Sequence, residues 1–530
     1  MSAAARTPPR LRELMRERPV WLLTLLVLGY FYVPLTTGTL YFRDLYRVLY
    51  PKRVFFAAAI RSGEFPLWDP MTHGGVPFLA YPSNYALYPA NVLYAFLPTL
   101  LAFNLMLVLQ VLLCALAGYW LACVVGTSRT AAFIAGLALA FCGYTLSSTN
   151  LLPVLLGLPW IPLTLGLAIR AVRHERSLIP AAIAAAMPLY GGAAEVSGML
   201  YATLAVWLLT ERSIRPRQRV VALASIVLGG IGLSLLVTLP ATSVIAQSSR
   251  AHAQPYSDFA AWSVAPQRLP ELVVPRFLGD TDTLVEERRW GRNLTSNGYP
   301  LVISIYCGIP LLLLAIGGAR RNAFLAAIAL LALIASLGGH LPGFRLIHEY
   351  VPFVSTFRYP VKAQVAALVP LVILAAFGLD VLRESERLRK RTMLAATVVG
   401  AAAVVVAALL AYAPSFAAAF ARAFSFTPLD AAMRNMLALS FIHTALVSLC
   451  FAAAVASRRQ AAIAVVIAAD LLIAGLSAAD FAPREIFSAS PLAAAARQVT
   501  ADGRFYAAGQ PLTISAPDDD LMWLARWQIA

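Results

Sequence analysis

The sequence predicts an all-α polytopic membrane protein, a bundle of about thirteen transmembrane helices with a long first extracytoplasmic loop. Three observations carry that prediction. Sixty per cent of the 530 residues are hydrophobic and 13% charged, with a mean hydropathy of +0.73, a balance that belongs to integral membrane proteins. Apolar stretches long enough to cross a bilayer recur along the whole chain. Basic residues fall in alternate connections between those stretches, as topology requires.

A spanning helix needs roughly 20 apolar residues. Candidates lie at 21–40, 100–124, 130–148, 151–169, 178–194, 196–210 and 220–246, then at 300–318, 323–338, 363–380, 392–413, 435–456 and 460–479. The stretches 178–194 and 196–210 are short and meet at Gly191-Gly192. The first is too long for a cleavable signal and no small-residue cleavage pattern follows it.

With the amino terminus inside, the inside connections include GTSR, RAVRHER, ERSIRPRQR, ARRN, LRESERLRKR and SRRQ. They and the basic segment 1–20 hold about half of the basic residues but roughly a quarter of the acids. The formal charge of +16 therefore reflects a cytoplasmic face. Nucleic acid is not an expected partner, since no basic loop is long or interleaved with aromatics. The lipid bilayer is. The five cysteines all sit in apolar stretches, where small apolar packing is expected and a disulfide is not.

The outside segments are the long ones: 41–98, 247–299, 339–361, 414–434 and the carboxy-terminal part 481–530, read as the start of an extracytoplasmic segment. The transmembrane domain is thus placed at 21–480, and chemistry is expected on the extracytoplasmic side. Nucleotide sugars and ATP are not freely available there, so an activated donor has to be lipid-linked. Residues 41–98 place Asp44 just beyond the first span, with Asp69, His73 and fourteen aromatic residues among 58. Acids set among tyrosines and tryptophan suit a loop that handles a sugar on a lipid carrier.

The run GEFPLWDPMTHGGVPFLAYPSNYALYP, Gly63–Pro89, resembles the first outer loop of the YfhO family of bacterial membrane proteins. Similar pieces follow in the same order at 239–250, 265–280, 298–315 and 351–364, with Asp470-Leu471 and DGRFYA at 502–507. That family is similar to the GT-C glycosyltransferases, multi-span enzymes that use polyprenyl-phosphate sugars with an acidic residue in the first outer loop. The resemblance implies a GT-C-like bundle in a bacterial cytoplasmic membrane, with the amino terminus cytoplasmic and the carboxy terminus extracytoplasmic. It implies an inverting transferase that moves sugar from a polyprenyl-phosphate donor to an envelope glycan, a teichoic acid-like polymer or a protein.

Such transfer needs a base for the acceptor hydroxyl and a cation for the departing phosphate. Asp44, at the membrane boundary, is the expected general base; pairing with Arg43 or Arg47 is the plainer role. Asp69, between Trp68 and Pro70, is a second catalytic candidate or an Asx-turn acceptor. His73 is a candidate to orient the acceptor or donate to phosphate. Tyr81 and Tyr85 can stack on sugar faces or belong to an interfacial belt. Arg358, in FRYP, offers a planar fork for phosphate, with Lys362 one turn deeper; snorkelling flank residues would look the same. Glu195, in GGAAEVSG, lies where backbone is expected to break beside a cavity. Asp470 stands mid-span, where an ionisable group is a functional candidate or a buried partner. Asp380 is expected to pair with Arg383. No tight pair of acids supports a divalent metal, and no other cofactor is implied.

ATPase, metalloprotease and serine-hydrolase signatures are absent from the sequence. The alternative function is a transporter or flippase of lipid-linked envelope precursors. It is disfavoured because no repeat relates the two halves.

Overall fold

The computed structural model describes residues 16–487 apart from 42–43, 71, 73–74, 212–213, 249–250, 253, 280–287, 352–353 and 480. Among the described residues, fifteen helices have ten residues or more. The first seven are α1 (Arg18–Tyr30), α2 (Tyr50–Arg61), α3 (Thr99–Val124), α4 (Arg129–Phe141), α5 (Trp160–Arg173), α6 (Ile179–Tyr190) and α7 (Ala194–Thr210). Then come α8 (Pro216–Ala246), α9 (Ile309–Gly318), α10 (Ala323–Ser336) and α11 (Val365–Glu384). The last are α12 (Glu386–Tyr412), α13 (Pro414–Ala423), α14 (Ala431–Ala456) and α15 (Gln460–Gly475). Strand is confined to two short antiparallel pairs, β1 (Gly38–Leu40) with β4 (Phe481–Pro483) and β2 (Trp68–Asp69) with β3 (Val76–Pro77). The protein is an all-α polytopic membrane protein.

Each of the thirteen expected spans contains a helix; the first, expected over 21–40, is helical over Arg18–Tyr30 and Tyr32–Thr36 and ends in β1. Seven helices are long and apolar enough to cross a membrane, and six further apolar helices are shorter. Burial sorts them. Of the most apolar window, 94% is buried in Arg129–Asn150 but only 22% in Pro216–Ala246 and 28% in Glu386–Tyr412. The helix around α4 is therefore the centre of the bundle, and α8 and α12 present apolar side chains outward. Close backbone approach tightens the core at α9 and α11. A Cβ on Gly378 would overlap the Leu314 carbonyl, and one on Gly318 would overlap that of Leu374, so small residues set this packing.

One expected span is corrected. Helix was expected over 300–318 but begins only at Ile309, and residues 300–308 are buried without regular structure. Gly308 has φ of +81° and Pro310 follows at the first helical turn, which starts the helix late. Backbone of this kind is tolerated within a membrane protein only when its polar groups find partners, and here they do. The Ser304 amide donates to Ser147 Oγ at 2.8 Å, that of Ile305 to Glu271 Oε1 at 3.1 Å, and those of Cys307 and Gly308 to the Leu272 carbonyl at 3.0 Å. Arg268 donates to the Val302 carbonyl at 2.7 Å and pairs with Glu271 at 2.6 Å.

The mid-span acid belongs to the same arrangement. The Tyr306 hydroxyl donates to Asp470 Oδ1 at 2.5 Å, and His443 Nε2 lies 2.9 Å from the same oxygen. Asp380 does not pair with Arg383 as expected. Its carboxylate accepts from the Ser128 amide at 2.9 Å, at the start of α4, where a helix amino terminus favours an acid.

The short basic connections meet on one face. Glu17 pairs with Arg129, Arg173 with Glu211, Arg321 with Glu384, and Glu386 with Arg458. Every one of these residues was expected on the same side of the membrane.

Candidate functional site

The first outer loop is a folded unit anchored in the bundle. Asn104, buried on α3, accepts from Thr39 Oγ1 at 3.0 Å and from the Leu40 amide at 3.2 Å, and donates to the Pro34 carbonyl at 2.8 Å. This fixes β1, which β4 pairs on its open edge. Asp44 then starts one π-helical turn, Leu45–Leu49, that leads into α2. The Asp44 side chain is exposed.

The centre of the loop is Arg53, which is wholly buried. Its guanidinium donates to the Asn84 carbonyl at 2.6 Å and to Asn91 Oδ1 at 3.4 Å, and lies 4.2 Å from the centroid of the Tyr85 ring. The two asparagines knit the turn, Asn84 donating to Phe78 and Asn91 to Tyr85 and Ala86. Tyr85 is therefore a packing residue: its ring is 3% exposed and one face is taken by Arg53, which removes it from stacking on a sugar. Tyr81 remains 37% exposed.

Asp69 is buried as part of β2, and Thr72 Oγ1 donates to its Oδ2 at 2.6 Å. This side-chain bond spans the turn from Asp69 to Thr72; an Asx turn would use a backbone amide as donor. Asp69 also faces charge. Burial lowers the pKa of the Lys52 ammonium and Arg53 lowers it further, while the Asp69 carboxylate acts the other way. His73 lies outside the described residues.

The loop closes on the break between α6 and α7. Gly192 has φ of +72°, and a Cβ there would overlap the Pro82 carbonyl, so glycine is needed for the loop to seat. Three residues on, Glu195 stands in the first turn of α7 and pairs with Lys362, both side chains being 21% exposed. Lys362 lies in the 3-10 turn Pro360–Gln364 ahead of α11. Tyr359, with φ of +72°, holds the turn. Its ring meets Trp262 edge-on at 4.6 Å, and the charges of Lys362 and Arg358 lie 5.5 and 5.1 Å from its centroid. Arg358 also approaches Asp258 at 4.0 Å.

A cavity of about 210 Å³ lies between the loop and the ends of α6, α7 and α8; Ala194 on its lining directly precedes Glu195, while neither Glu195 nor Lys362 lines it. Tyr81, Pro82 and Tyr85 line one side, Gly192 and Ala194 the end, and Thr238 and Ala241 of α8 the other. Glu195, Lys362, Tyr359 and Arg358 thus form one connected group at the loop side of the bundle. No described contact joins Asp44 to it.

Arg53 and Lys52 had not been singled out from sequence, although a signal exists. Tyr50, Arg53, Phe56 and Ala57 are all buried, which puts an arginine on the apolar stripe of a short helix. Among the described residues no three His, Cys, Asp or Glu side chains gather in a way that could hold a metal ion.

No protein-family model matches the chain, and no curated protein matches it. Among solved structures it is similar to ArnT from Cupriavidus metallidurans. The match to ArnT bound to undecaprenyl phosphate has 16% identity, covers 87% of this chain and 76% of that one, and has a TM-score of 0.45. The match to the apo state has 15% identity, the same coverage and a TM-score of 0.49. At such identities and scores the match carries no argument, and the chemistry has to be argued from this chain's own residues.

Proposed function

We propose that this protein is a GT-C-like membrane glycosyltransferase. It moves a sugar from a polyprenyl-phosphate donor to an envelope acceptor on the extracytoplasmic face of a bacterial cytoplasmic membrane. The observation that carries the reading is an apolar cavity roofed by the first outer loop, one of whose lining residues, Ala194, directly precedes Glu195 of the half-buried Glu195–Lys362 pair. A lipid-linked phosphate sugar needs that combination: apolar walls for the chain and a cation within reach of the phosphate. The likeness of Gly63–Pro89 to the YfhO outer loop supports the same reading.

In this scheme Lys362 and Arg358 steady the phosphate. Asp44 takes the acceptor hydroxyl proton as the oxygen attacks the anomeric carbon. The bond from that carbon to the phosphate oxygen breaks, and polyprenyl phosphate leaves with the electron pair. Asp69 and Arg53 keep the loop in shape.

The test is transfer by purified protein from a polyprenyl-phosphate sugar. Asp44→Asn is nearly isosteric and exposed, so the protein should fold and lose about 10²- to 10⁴-fold in rate. Arg358→Ala should lose roughly 30- to 150-fold at limiting donor, the equivalent of about 2–3 kcal/mol of charge-assisted bonding. Asp69→Asn retains an acceptor for Thr72 and should keep most activity. Near-normal transfer by Asp44→Asn would remove the proposed base and bring the carrier of lipid-linked precursors forward.

A further inference from the structure

At the opposite end of the chain, α13, the connection that follows it and the start of α14 line a second cavity of about 430 Å³, within the size range of small-ligand sites. Its walls include Pro414, Ala421, Arg422, Phe426, Asp430 and Arg434. Two of these are arginines, and one has an unusual environment. Nε and Nη1 of Arg434 are shielded from solvent and have no hydrogen-bond partner among the described residues. Buried donors of a charged group are nearly always paired, and leaving them bare is costly. The acid within the cavity is already engaged: Asp430 Oδ1 accepts from the Met433 amide at 2.8 Å, as the cap of α14.

The place is also informative. α12 and α14 are both long apolar helices, and the cavity lies where α12 ends and α14 begins. Tyr412, the last residue of α12, is 88% exposed, and Val405 and Leu439 are 58% and 62% exposed along the two helices. An apolar outer surface thus leads to a doubly basic recess at the end of two long apolar helices, and the ends of spanning helices are where lipid headgroups are met.

We infer that Arg422 and Arg434 form a phosphate-binding site, separate from the Glu195–Lys362 group, that takes the phosphodiester of an anionic phospholipid or a free phosphate. Nε and Nη1 of Arg434 have no solvent contact, so the phosphate takes them as donors once the side chain turns toward the cavity that it lines, and a guanidinium suits a phosphate geometrically. Arg422 supplies the second charge, leaving the recess net positive beside Asp430.

Purified full-length protein in detergent would be titrated with phosphatidylglycerol, diacylglycerol, glycerol phosphate and inorganic phosphate, with binding followed by thermal unfolding and native mass spectrometry. Wild type should be stabilised by phosphatidylglycerol and not by diacylglycerol. Arg434→Gln and Arg422→Gln should each weaken that binding by about tenfold or more. Removing an unpaired buried charge should not lower the melting temperature of the lipid-free protein. If Arg434→Gln does not fold, Arg422→Gln, at an exposed position, reads the same contrast. Stabilisation by phosphatidylglycerol alone identifies a lipid headgroup, and equal stabilisation by glycerol phosphate or inorganic phosphate identifies a free phosphate. Equal binding of diacylglycerol, or undiminished phosphatidylglycerol binding in both variants, would overturn the site.

Discussion

Arg53 shows how much a single side chain can organise. A guanidinium with no solvent contact is costly unless its donors are taken up. Here the Asn84 carbonyl and Asn91 Oδ1 take up Nη2 and Nη1 and three aromatic rings surround the group, while Nε is left without a partner. Arg53→Met fills similar space but leaves the Asn84 carbonyl and Asn91 Oδ1 without their donor. The expected loss is on the order of 3 kcal/mol, read as a lowered melting temperature and as faster protease cleavage near the exposed Ser62–Phe65 stretch. Arg53→Lys retains the charge without the fork and should fall between. A wild-type melting temperature for Arg53→Met would show that the loop does not depend on this residue. The sequence drew attention to Asp44 and Arg358 instead, because a basic residue in PKRVFFAAAIRS reads as solvated charge until the helix is seen to bury that face.

Elements differ in how far they could be read ahead. Helices as apolar as α3 and α12 follow from length and hydropathy alone, and all thirteen expected spans contain one. The stretch 300–308 was read as helix because an apolar run does not distinguish a buried extended segment from a buried helix. Gly308 and Pro310 were the available signal. The Glu195–Lys362 pair was half legible: both residues were candidates, yet 167 positions separate them and nothing local announces their contact. The extended segment leads to a comparative prediction. Glu271→Gln can still accept from the Ile305 amide but strands the Arg268 charge, so it should cost about 3–5 kcal/mol. Arg321→Gln removes a surface pair whose side chains are 37% and 66% exposed, and should cost under about 1 kcal/mol. Thermal unfolding of the two variants in detergent makes the comparison, and equal shifts would contradict the structural role given to Arg268 and Glu271.

At the scale of the whole molecule, the chain has two chemically distinct ends. Short basic connections are tied together by ion pairs at one, and the folded loop, the Glu195–Lys362 group and the β1–β4 pair gather at the other. A multi-pass bundle can keep those sets apart only if its spans alternate as the charge pattern demands. Reporter fusions after residues 175, 321 and 458 should therefore all report the same compartment, and fusions after 270 and 350 the other. The positive-inside rule assigns the first set to the cytoplasm. The two parts of the prediction fail differently. A wholly inverted pattern would move the Glu195–Lys362 group to the cytoplasmic side, where nucleotide-sugar donors are present, and would remove the argument for a lipid-linked donor while leaving the fold intact. A fusion after 350 that reported with those after 175 and 458 would be more serious. It would place Lys362 on the same side as the basic connections and would contradict the separation of the two faces on which the site is built.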